Sequence, residues 1–285
     1  MMRVLVFGGS GQLGSEIVRR WTGCEIAAPE SAQADVEDAR AVASSIATHA
    51  PDLVVNCTAF HDVDLCEREP ERAFAVNATA VERIARASRA AGAAFVTVST
   101  DYVFDGETER PYRETDEPRP LSQYGASKLE GERRVERLHM DAYVVRTCGL
   151  YGTRVSSSKG YTFVDRVISK ARAGETQAIV DDAFASPTYA AHLADALRAL
   201  VATKRYGLYH AADAGPVSWY AFAAEALRRA GVDGRLEPTT RAAWKPETPR
   251  PRFSALASER LAGLGIAMPT WGEGLSDYIR DKLAL

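Results

Sequence analysis

Two short motifs in this chain can act together on a carbonyl group. Residues 8–14 read Gly-Gly-Ser-Gly-Gln-Leu-Gly, and residues 124–128 read Tyr-Gly-Ala-Ser-Lys. A glycine turn at a helix start can hold a pyrophosphate, because the helix N-terminus offers unpaired N–H groups and partial positive charge. A tyrosine four residues before a lysine shares its helix face, and the ammonium is expected to lower a phenol pKa that is ordinarily about 10. Together the motifs predict a nicotinamide-dependent enzyme acting on a carbonyl or carbinol.

Neither motif is specific by itself. The glycine spacing is GxxGxxG instead of the GxGxxG dinucleotide fingerprint, so an ordinary strand-to-helix turn is the alternative. A tyrosine and a lysine four residues apart also occur on surface helices by chance. The context favours function, since an apolar run at 3–7 precedes the glycines and a β-branched run at 94–100 ends in Ser99 and Thr100. Because parallel sheets bind ligands at the carboxyl ends of their strands, Thr100 is expected to donate to the carbonyl oxygen that Tyr124 protonates.

The composition excludes several classes of function. The chain has 285 residues, 46% of them hydrophobic and 26% charged, with a net charge of −3. No basic stretch predicts nucleic-acid binding, and no apolar run approaches the ~20 residues of a membrane span. The four cysteines lack paired spacing, which suits a reducing, cytoplasmic location. No metal site is expected from the five histidines, of which only His61 is singled out as a candidate for function.

Alternating strand-like and helix-like segments predict the fold class. Apolar runs near 3–7, 53–57, 94–100 and 142–146 are separated by helical patterns, as in an α/β protein with a doubly wound, Rossmann-type parallel sheet. Residues 1–152 are predicted to form a dinucleotide-binding domain, and 153–285 mainly a smaller, interleaved substrate-binding domain. Segments near 176–230, including 179–180 and 208–210, are predicted to return to the sheet. A polar stretch at 156–160 is predicted to be a solvated loop, with a mobile lid as the alternative.

The chain resembles the extended short-chain dehydrogenase/reductases, and within them the dTDP-4-dehydrorhamnose reductase family. The resemblance runs nearly end to end. It rests above all on GGSGQLG at 8–14, STDYVFDG at 99–106, YGASKLEGE at 124–132 and SWYAFA at 218–223. The second and fourth of these motifs are much more specific than the other two.

The resemblance implies a role for each matching residue. Thr100, Tyr124 and Lys128 become the catalytic triad, with Lys128 also binding the nicotinamide ribose. The residues implied to bind the cofactor, besides Tyr124 and Lys128, are Gly8, Gly11, Gln12, Leu13, Gly14, Asp35, Val36, Cys57, Thr58 and Ala59. Those expected to bind the substrate are His61, Asp101, Tyr102 and Phe104. NADPH is the expected cofactor, with NADH left open because no clear ribose-binding carboxylate or arginine follows the strand at 25–27. A homodimer is the assembly considered.

The implied reaction is reduction of the C4 ketone of a nucleotide-linked 4-keto-6-deoxy sugar, namely dTDP-4-dehydrorhamnose to dTDP-L-rhamnose. Two departures concern the substrate: Cys148-Gly149 replace a Ser-Trp pair whose tryptophan lies beside the sugar, and Ala183 replaces a glutamine. An epimerase or 4,6-dehydratase of the same superfamily is one alternative, although dehydratases place Asp-Glu where this chain has Asp101-Tyr102. A non-catalytic subunit, like the regulatory subunit of methionine adenosyltransferase, is the other.

Overall fold

A computed structural model describes residues 1–154 and 160–283. The strands, in chain order, are β1 (Met2–Phe7), β2 (Cys24–Ala27), β3 (Leu53–Asn56), β4 (Ala94–Thr100), β5 (Ala142–Thr147), β6 (Gln177–Val180), β7 (Phe184–Ala185), β8 (Gly207–His210), β9 (Val217–Ser218) and β10 (Leu236–Thr239). The α-helices are α1 (Gln12–Arg20), α2 (Ala39–His49), α3 (Val63–Arg68), α4 (Pro70–Phe74), α5 (Val81–Ala90), α6 (Gln123–Glu136), α7 (Phe163–Arg172), α8 (Ala190–Thr203), α9 (Trp219–Ala230), α10 (Arg241–Trp244), α11 (Glu259–Gly263) and α12 (Trp271–Leu283). Of the polar stretch predicted at 156–160, residues 156–159 lie outside the described residues.

Six strands form one parallel sheet in the order β2-β1-β3-β4-β5-β8. Its central strands are continuous apolar runs, as expected for strands that are covered by helices on both faces. β1 lies between β2 and β3, because the chain passes first from β1 to β2 and then crosses back to β3 on the other side of β1. In such sheets the ligand crevice opens at this point, beyond the carboxyl ends of the strands. The predicted doubly wound, Rossmann-type sheet is confirmed.

Helices cover both faces of this sheet. On one face, Ile17 of α1 and Trp21 directly after it pack with Leu193 and Leu197 of α8 against β1, β3 and β5. On the other face, apolar residues of α2, α5 and α6 form a second buried cluster with the same strands. Burial of these apolar faces, at about 25 cal/mol per Å² removed from water, is the main source of stability for the sheet and its helices.

The remaining strands form two small sheets beside the large one. β6 pairs in parallel with β10, and β7 pairs antiparallel with β9. The prediction that 179–180 returns to the main sheet is therefore wrong, whereas 208–210 does lie in it as part of β8. Tyr151, Tyr189, Phe222 and Tyr278 form an aromatic cluster that joins α8, α9 and α12. Within the described ranges, no helix combines the length and the apolar character needed to cross a bilayer.

Candidate active site

The glycine loop connects β1 to α1 at the carboxyl edge of the sheet. Its Gly11 N–H donates to the Gly8 carbonyl at 3.1 Å. Gly11 is also the N-cap of α1, and no side chain caps this helix start. A Cβ on Gly14 would lie 2.2 Å from the Gly8 oxygen, so only glycine allows the first turn of α1 to pack this closely. The arrangement leaves the N–H groups at the start of α1 available for an anion.

The loop after β3 lies beside this turn. The Cys57 N–H donates to the Phe7 carbonyl at 2.9 Å, and the Thr58 hydroxyl donates to Asn56 at 2.7 Å. Residues 57–59 are half-buried along the same edge. Burial raises the pKa of the Cys57 thiol to about 12, so this side chain is neutral. The loop therefore presents backbone and small neutral side chains next to the glycine turn.

The other two predicted cofactor residues differ from each other in exposure. Asp35 is exposed, and its carboxylate accepts from the Glu37 N–H at 2.9 Å. Val36 is 9% exposed and packs into the apolar layer beneath α2 and α5. A ligand can reach Asp35 directly, whereas Val36 mainly fixes the position of this turn.

The three predicted catalytic residues come together at the ends of β4 and α6. Thr100 is the last residue of β4, and α6 begins one residue before Tyr124. The Tyr124 hydroxyl is within hydrogen-bonding reach of Thr100. Lys128 lies one helical turn further on, is 5% exposed, and donates from Nζ to the Val98 carbonyl at 2.6 Å. Two elements that are adjacent in the fold thus bring a phenol, a hydroxyl and an ammonium to one place.

The electrostatics of this group differ from the sequence prediction. Burial raises the pKa of Tyr124, opposed by its hydrogen bond with Thr100. Burial also lowers the pKa of Lys128 to about 8, although the charge of Glu132 acts in the opposite direction. The prediction that Lys128 lowers the Tyr124 pKa is therefore wrong for this structure, because burial of the phenol dominates its pKa and Lys128 is not among the groups that lower it. Tyr124 is a neutral phenol at neutral pH and is suited to donate a proton.

Two of the four predicted substrate residues are inaccessible. Phe104 is completely buried, with its ring stacked on Tyr112 at 4.1 Å between centroids. Asp101 is 3% exposed, and its carboxyl faces Thr100 and Cys148 instead of the crevice. The expectation that these two side chains contact the sugar is wrong, because the turn after β4 directs both inward.

The other two predicted substrate residues are half-buried at the site. The ring of Tyr102 lies edge-on to that of Tyr124, with 5.7 Å between centroids. His61 lies in the loop after β3, where its Nδ1 is 3.3 Å from the Ala59 carbonyl. Both side chains retain accessible surface, and their contact with the sugar stays a prediction.

Sequence reasoning missed Asn77. A π-helical turn over Ala75–Ala80 joins α4 to α5 and carries this residue. Asn77 Nδ2 donates to the Phe60 carbonyl at 2.8 Å and to the Ser127 hydroxyl at 3.0 Å, while its Oδ1 accepts from the Phe60 N–H at 2.9 Å. This fully buried amide ties the loop that carries His61 to α6. The signal available in the sequence was an asparagine within a helix, where it is unfavourable.

Sequence reasoning also missed Arg250, which reaches the site from the proline-containing segment after α10. Its guanidinium donates to Asp64 of α3 at 3.0 Å and lies over the Trp244 ring at 5.1 Å. It also has a hydrogen-bonding interaction with the Tyr102 hydroxyl. A residue far along the chain thus contacts one that lies against Tyr124.

Comparison with known proteins identifies the family. The model of the RmlD substrate binding domain family matches residues 2–283. The chain belongs to this family. It is 41% identical over 275 residues to dTDP-4-dehydrorhamnose reductase of Streptomyces griseus, covering 93% of this chain and 88% of the relative. It is 37% identical over 294 residues to a probable dTDP-4,6-dihydroxy-2-methyloxan-3-one 4-ketoreductase of Streptomyces antibioticus, covering 99% and 96%.

Solved structures agree with this assignment. The dTDP-4-dehydrorhamnose reductase of Bacillus anthracis, crystallised in complex with NADP, superposes with a TM-score of 0.93 at 32% identity, covering 98% of this chain and 99% of that one. The resemblance to this family that the sequence suggested is confirmed. In the parts of this family member that the structure describes, no three histidine, cysteine, aspartate or glutamate side chains form a group that could hold a metal ion.

This family member departs from the expected sequence at Gly149, shortly after β5, and at Ala183, directly before β7. Gly149 has φ +53°, and a Cβ there would be 3.2 Å from Pro187 Cα and 3.3 Å from Trp219 Cη2. Trp219 thus approaches the backbone at the position where a tryptophan was expected. Ala183 is 8% exposed, and its carbonyl accepts from the Trp219 N–H at 3.3 Å. Both departures therefore lie next to one residue, Trp219: Gly149 near its ring and Ala183 at its backbone N–H.

Proposed function

We propose that this protein reduces the C4 ketone of dTDP-4-dehydrorhamnose with NADPH, giving dTDP-L-rhamnose. The observation that carries the proposal is the Tyr124 hydroxyl within reach of Thr100, at the same sheet edge as the glycine loop. The reductase name of the relative from S. griseus and the NADP in the B. anthracis structure support the reaction and the cofactor. A cytoplasmic location and a homodimer stay predictions.

The residues at the sheet edge fit a dinucleotide. The tight turn at Gly14 and the uncapped start of α1 suit a pyrophosphate held by residues 8–14. Residues 57–59 would pass along the cofactor, Asp35 and Val36 would lie near its adenosine, and Lys128 would bind the nicotinamide ribose. When bound, the reduced nicotinamide supplies a hydride.

The protein's own groups handle the proton and the orientation of the ketone. Tyr124 donates its proton to the ketone oxygen as negative charge develops there, which a neutral phenol is able to do. Thr100 donates a hydrogen bond to the same oxygen and fixes its position. The buried Lys128 ammonium stabilises the phenolate that remains after the transfer, because charges interact strongly where water is excluded. Tyr102 and His61, which retain accessible surface at the site, would orient the sugar.

The test is NADPH consumption with dTDP-4-dehydrorhamnose, followed by the loss of nicotinamide absorbance. Replacing Tyr124 with phenylalanine should lower kcat about 100-fold or more, the typical contribution of a general acid. Tyr206→Phe, at a partly exposed tyrosine on the β8 side of the sheet, is the matched control and should keep full turnover. Full turnover of Tyr124→Phe would contradict the catalytic assignment. Retained NAD⁺ without net turnover would indicate an epimerase or dehydratase, and inactivity with every keto sugar would indicate a binding subunit.

One observation favours a second substrate. Gly149 stands where the family resemblance led us to expect an aromatic contact with the sugar, and one relative is named a probable 4-ketoreductase of a different dTDP-linked sugar. A dTDP-linked 4-keto sugar with a different ring substituent is therefore the alternative. Comparing kcat/KM for the two keto sugars under the same conditions decides between them.

A further inference from the structure

A buried carboxyl group lies directly behind Thr100. Asp101 is 3% exposed, with Oδ1 3.0 Å from the Thr100 hydroxyl and Oδ2 3.2 Å from the Cys148 thiol. The Ser254 hydroxyl also interacts with this carboxyl. Across residues 1–154 and 160–283, Asp101 forms no ion pair with a lysine, arginine or histidine. The carboxyl is thus surrounded by hydroxyl and thiol groups and has no neutralising cation.

The protonation of Asp101 decides what the Thr100 hydroxyl can do. This hydroxyl has one proton and two lone pairs. One lone pair accepts from the Tyr102 N–H at 3.2 Å. If Asp101 is a carboxylate, the Thr100 proton points toward it, and Thr100 can only accept from Tyr124. If Asp101 is a carboxylic acid, it donates to the second lone pair, and the Thr100 proton is free to point toward the reacting oxygen.

Two physical arguments favour the acid. Removing an unpaired carboxylate from water is costly, and such a group ordinarily takes up a proton instead. Burial accordingly raises the pKa of Asp101, although hydrogen bonds from Ser254, Cys148 and Thr100 act against it. The titratable groups that face it are Tyr102, Tyr124 and Cys148, and burial raises the pKa of each, so they too are neutral.

The surrounding hydrogen bonds are complete when Asp101 is protonated on Oδ1. The Cys148 sulfur accepts from the Ser186 N–H at 3.3 Å, which leaves the thiol proton for Asp101 Oδ2. Oδ1 then donates to Thr100, and each of the two oxygens has a partner. A protonated carboxylic acid that donates a hydrogen bond within an apolar site is a known way to organise catalysis at neutral pH.

We propose that Asp101 is a neutral carboxylic acid that donates to Thr100 and thereby turns the Thr100 proton toward the substrate ketone. It acts through Thr100 and is therefore a positioning residue. The part of this inference that concerns the ketone rests on the proposed function. The protonation of Asp101 itself does not.

The direct test is infrared difference spectroscopy of the purified protein near neutral pH, comparing wild type with Asp101→Asn. The difference spectrum should contain the C=O stretch of a protonated carboxylic acid, which shifts in D₂O. Other buried acids, such as Asp213, cancel in this difference. A carboxylate band in place of the acid band would overturn the proposal, whether or not the protein is a reductase. If Asp101→Asn does not fold, a pH titration of the wild-type acid band gives the same information.

A kinetic test addresses the link to Thr100. In the wild type, kcat/KM should fall as pH rises through the ionisation of Asp101, in step with loss of the acid band. Asp101→Asn should lack this fall, since the amide donates to Thr100 but cannot ionise, and it should keep only the separate fall caused by deprotonation of Lys128, whose pKa is about 8. Cys148→Ser is the matched control and should keep the fall, because serine still donates to Oδ2. An unchanged pH profile in Asp101→Asn, or a folded Asp101→Asn without turnover at any pH, would contradict the proposal.

Discussion

At the scale of single residues, Gly149 combines a left-handed backbone with close neighbours. Its φ of +53° costs an L-residue about 1–2 kcal/mol, and a Cβ would lie 3.2 Å from the Pro187 backbone. Gly149→Ala should therefore lower the free energy of unfolding by more than the backbone strain alone. Gly174→Ala is the matched control, because Gly174 has φ +74° and its added Cβ would meet no atom within 4 Å.

Urea denaturation of the two variants measures this difference. The free energy of unfolding should fall by about 1 kcal/mol in Gly174→Ala. It should fall by more in Gly149→Ala, because Pro187 and Trp219 must shift. Equal losses would mean that the Gly149 neighbourhood accommodates a side chain freely. In that case the glycine would not be required by packing, and its presence would point more strongly to the substrate.

At the scale of elements, His192 joins three parts of the chain. It lies on α8, with Nδ1 3.1 Å from Asp213 after β8 and Nε2 3.1 Å from Asp277 on α12. Burial by itself would lower the His192 pKa, but the hydrogen bonds and charges of the two carboxylates outweigh it and raise the pKa. The folded state therefore holds the proton more tightly than the unfolded chain, whose histidine pKa is about 6.5.

This linkage fixes the pH dependence. The stabilisation that protonated His192 gives to the folded state is fully present below the histidine pKa of the unfolded chain. It is lost as pH rises through the raised His192 pKa of the folded state. His192→Asn should lower the free energy of unfolding by about 2 kcal/mol at acidic pH, where charged hydrogen bonds are lost, and by less at alkaline pH. The exposed His49→Asn, at the end of α2, should change it by less than about 0.5 kcal/mol. A His192→Asn effect that does not diminish toward alkaline pH would show that the ion pairs do not stabilise α12.

At the scale of the whole molecule, short local sequence patterns predicted the architecture. They did not predict contacts between residues that are far apart in the chain. β6 and β8 are both short and partly apolar, so nothing in either segment tells which one joins the main sheet. The inward direction of Asp101 and Phe104 depends on the turn after β4, which residue type does not specify. Tyr124, Thr100 and Lys128 were predictable because their positions follow from one strand end and one helix spacing. Arg250 was not, since its partner Asp64 is 186 residues away.

Arg250 leads to a prediction about how the segment after α10 affects the position of Tyr102 in the site. It connects α3, the segment after α10 and the Tyr102 hydroxyl, and its guanidinium side chain is only 20% exposed. Arg250→Ala should release Tyr102 from its position beside Tyr124 and lower kcat/KM for the nucleotide sugar about tenfold or more, as expected when a hydrogen bond to a charged group is lost. The affinity for NADPH should stay the same, because the glycine loop and residues 57–59 make no contact with this side chain in the described structure.

Arg68→Ala is the matched control for this prediction. Arg68 joins the same two segments through Glu247 at 2.9 Å, but this ion pair is exposed and does not involve Tyr102. Exposed pairs contribute about 0–1 kcal/mol, so kcat/KM should change little. Steady-state kinetics with the keto sugar and fluorescence titration with NADPH separate the two effects. Equal losses of kcat/KM in both variants would assign Arg250 a role in holding the segments together, whereas a loss confined to Arg250→Ala places its effect on the sugar through Tyr102.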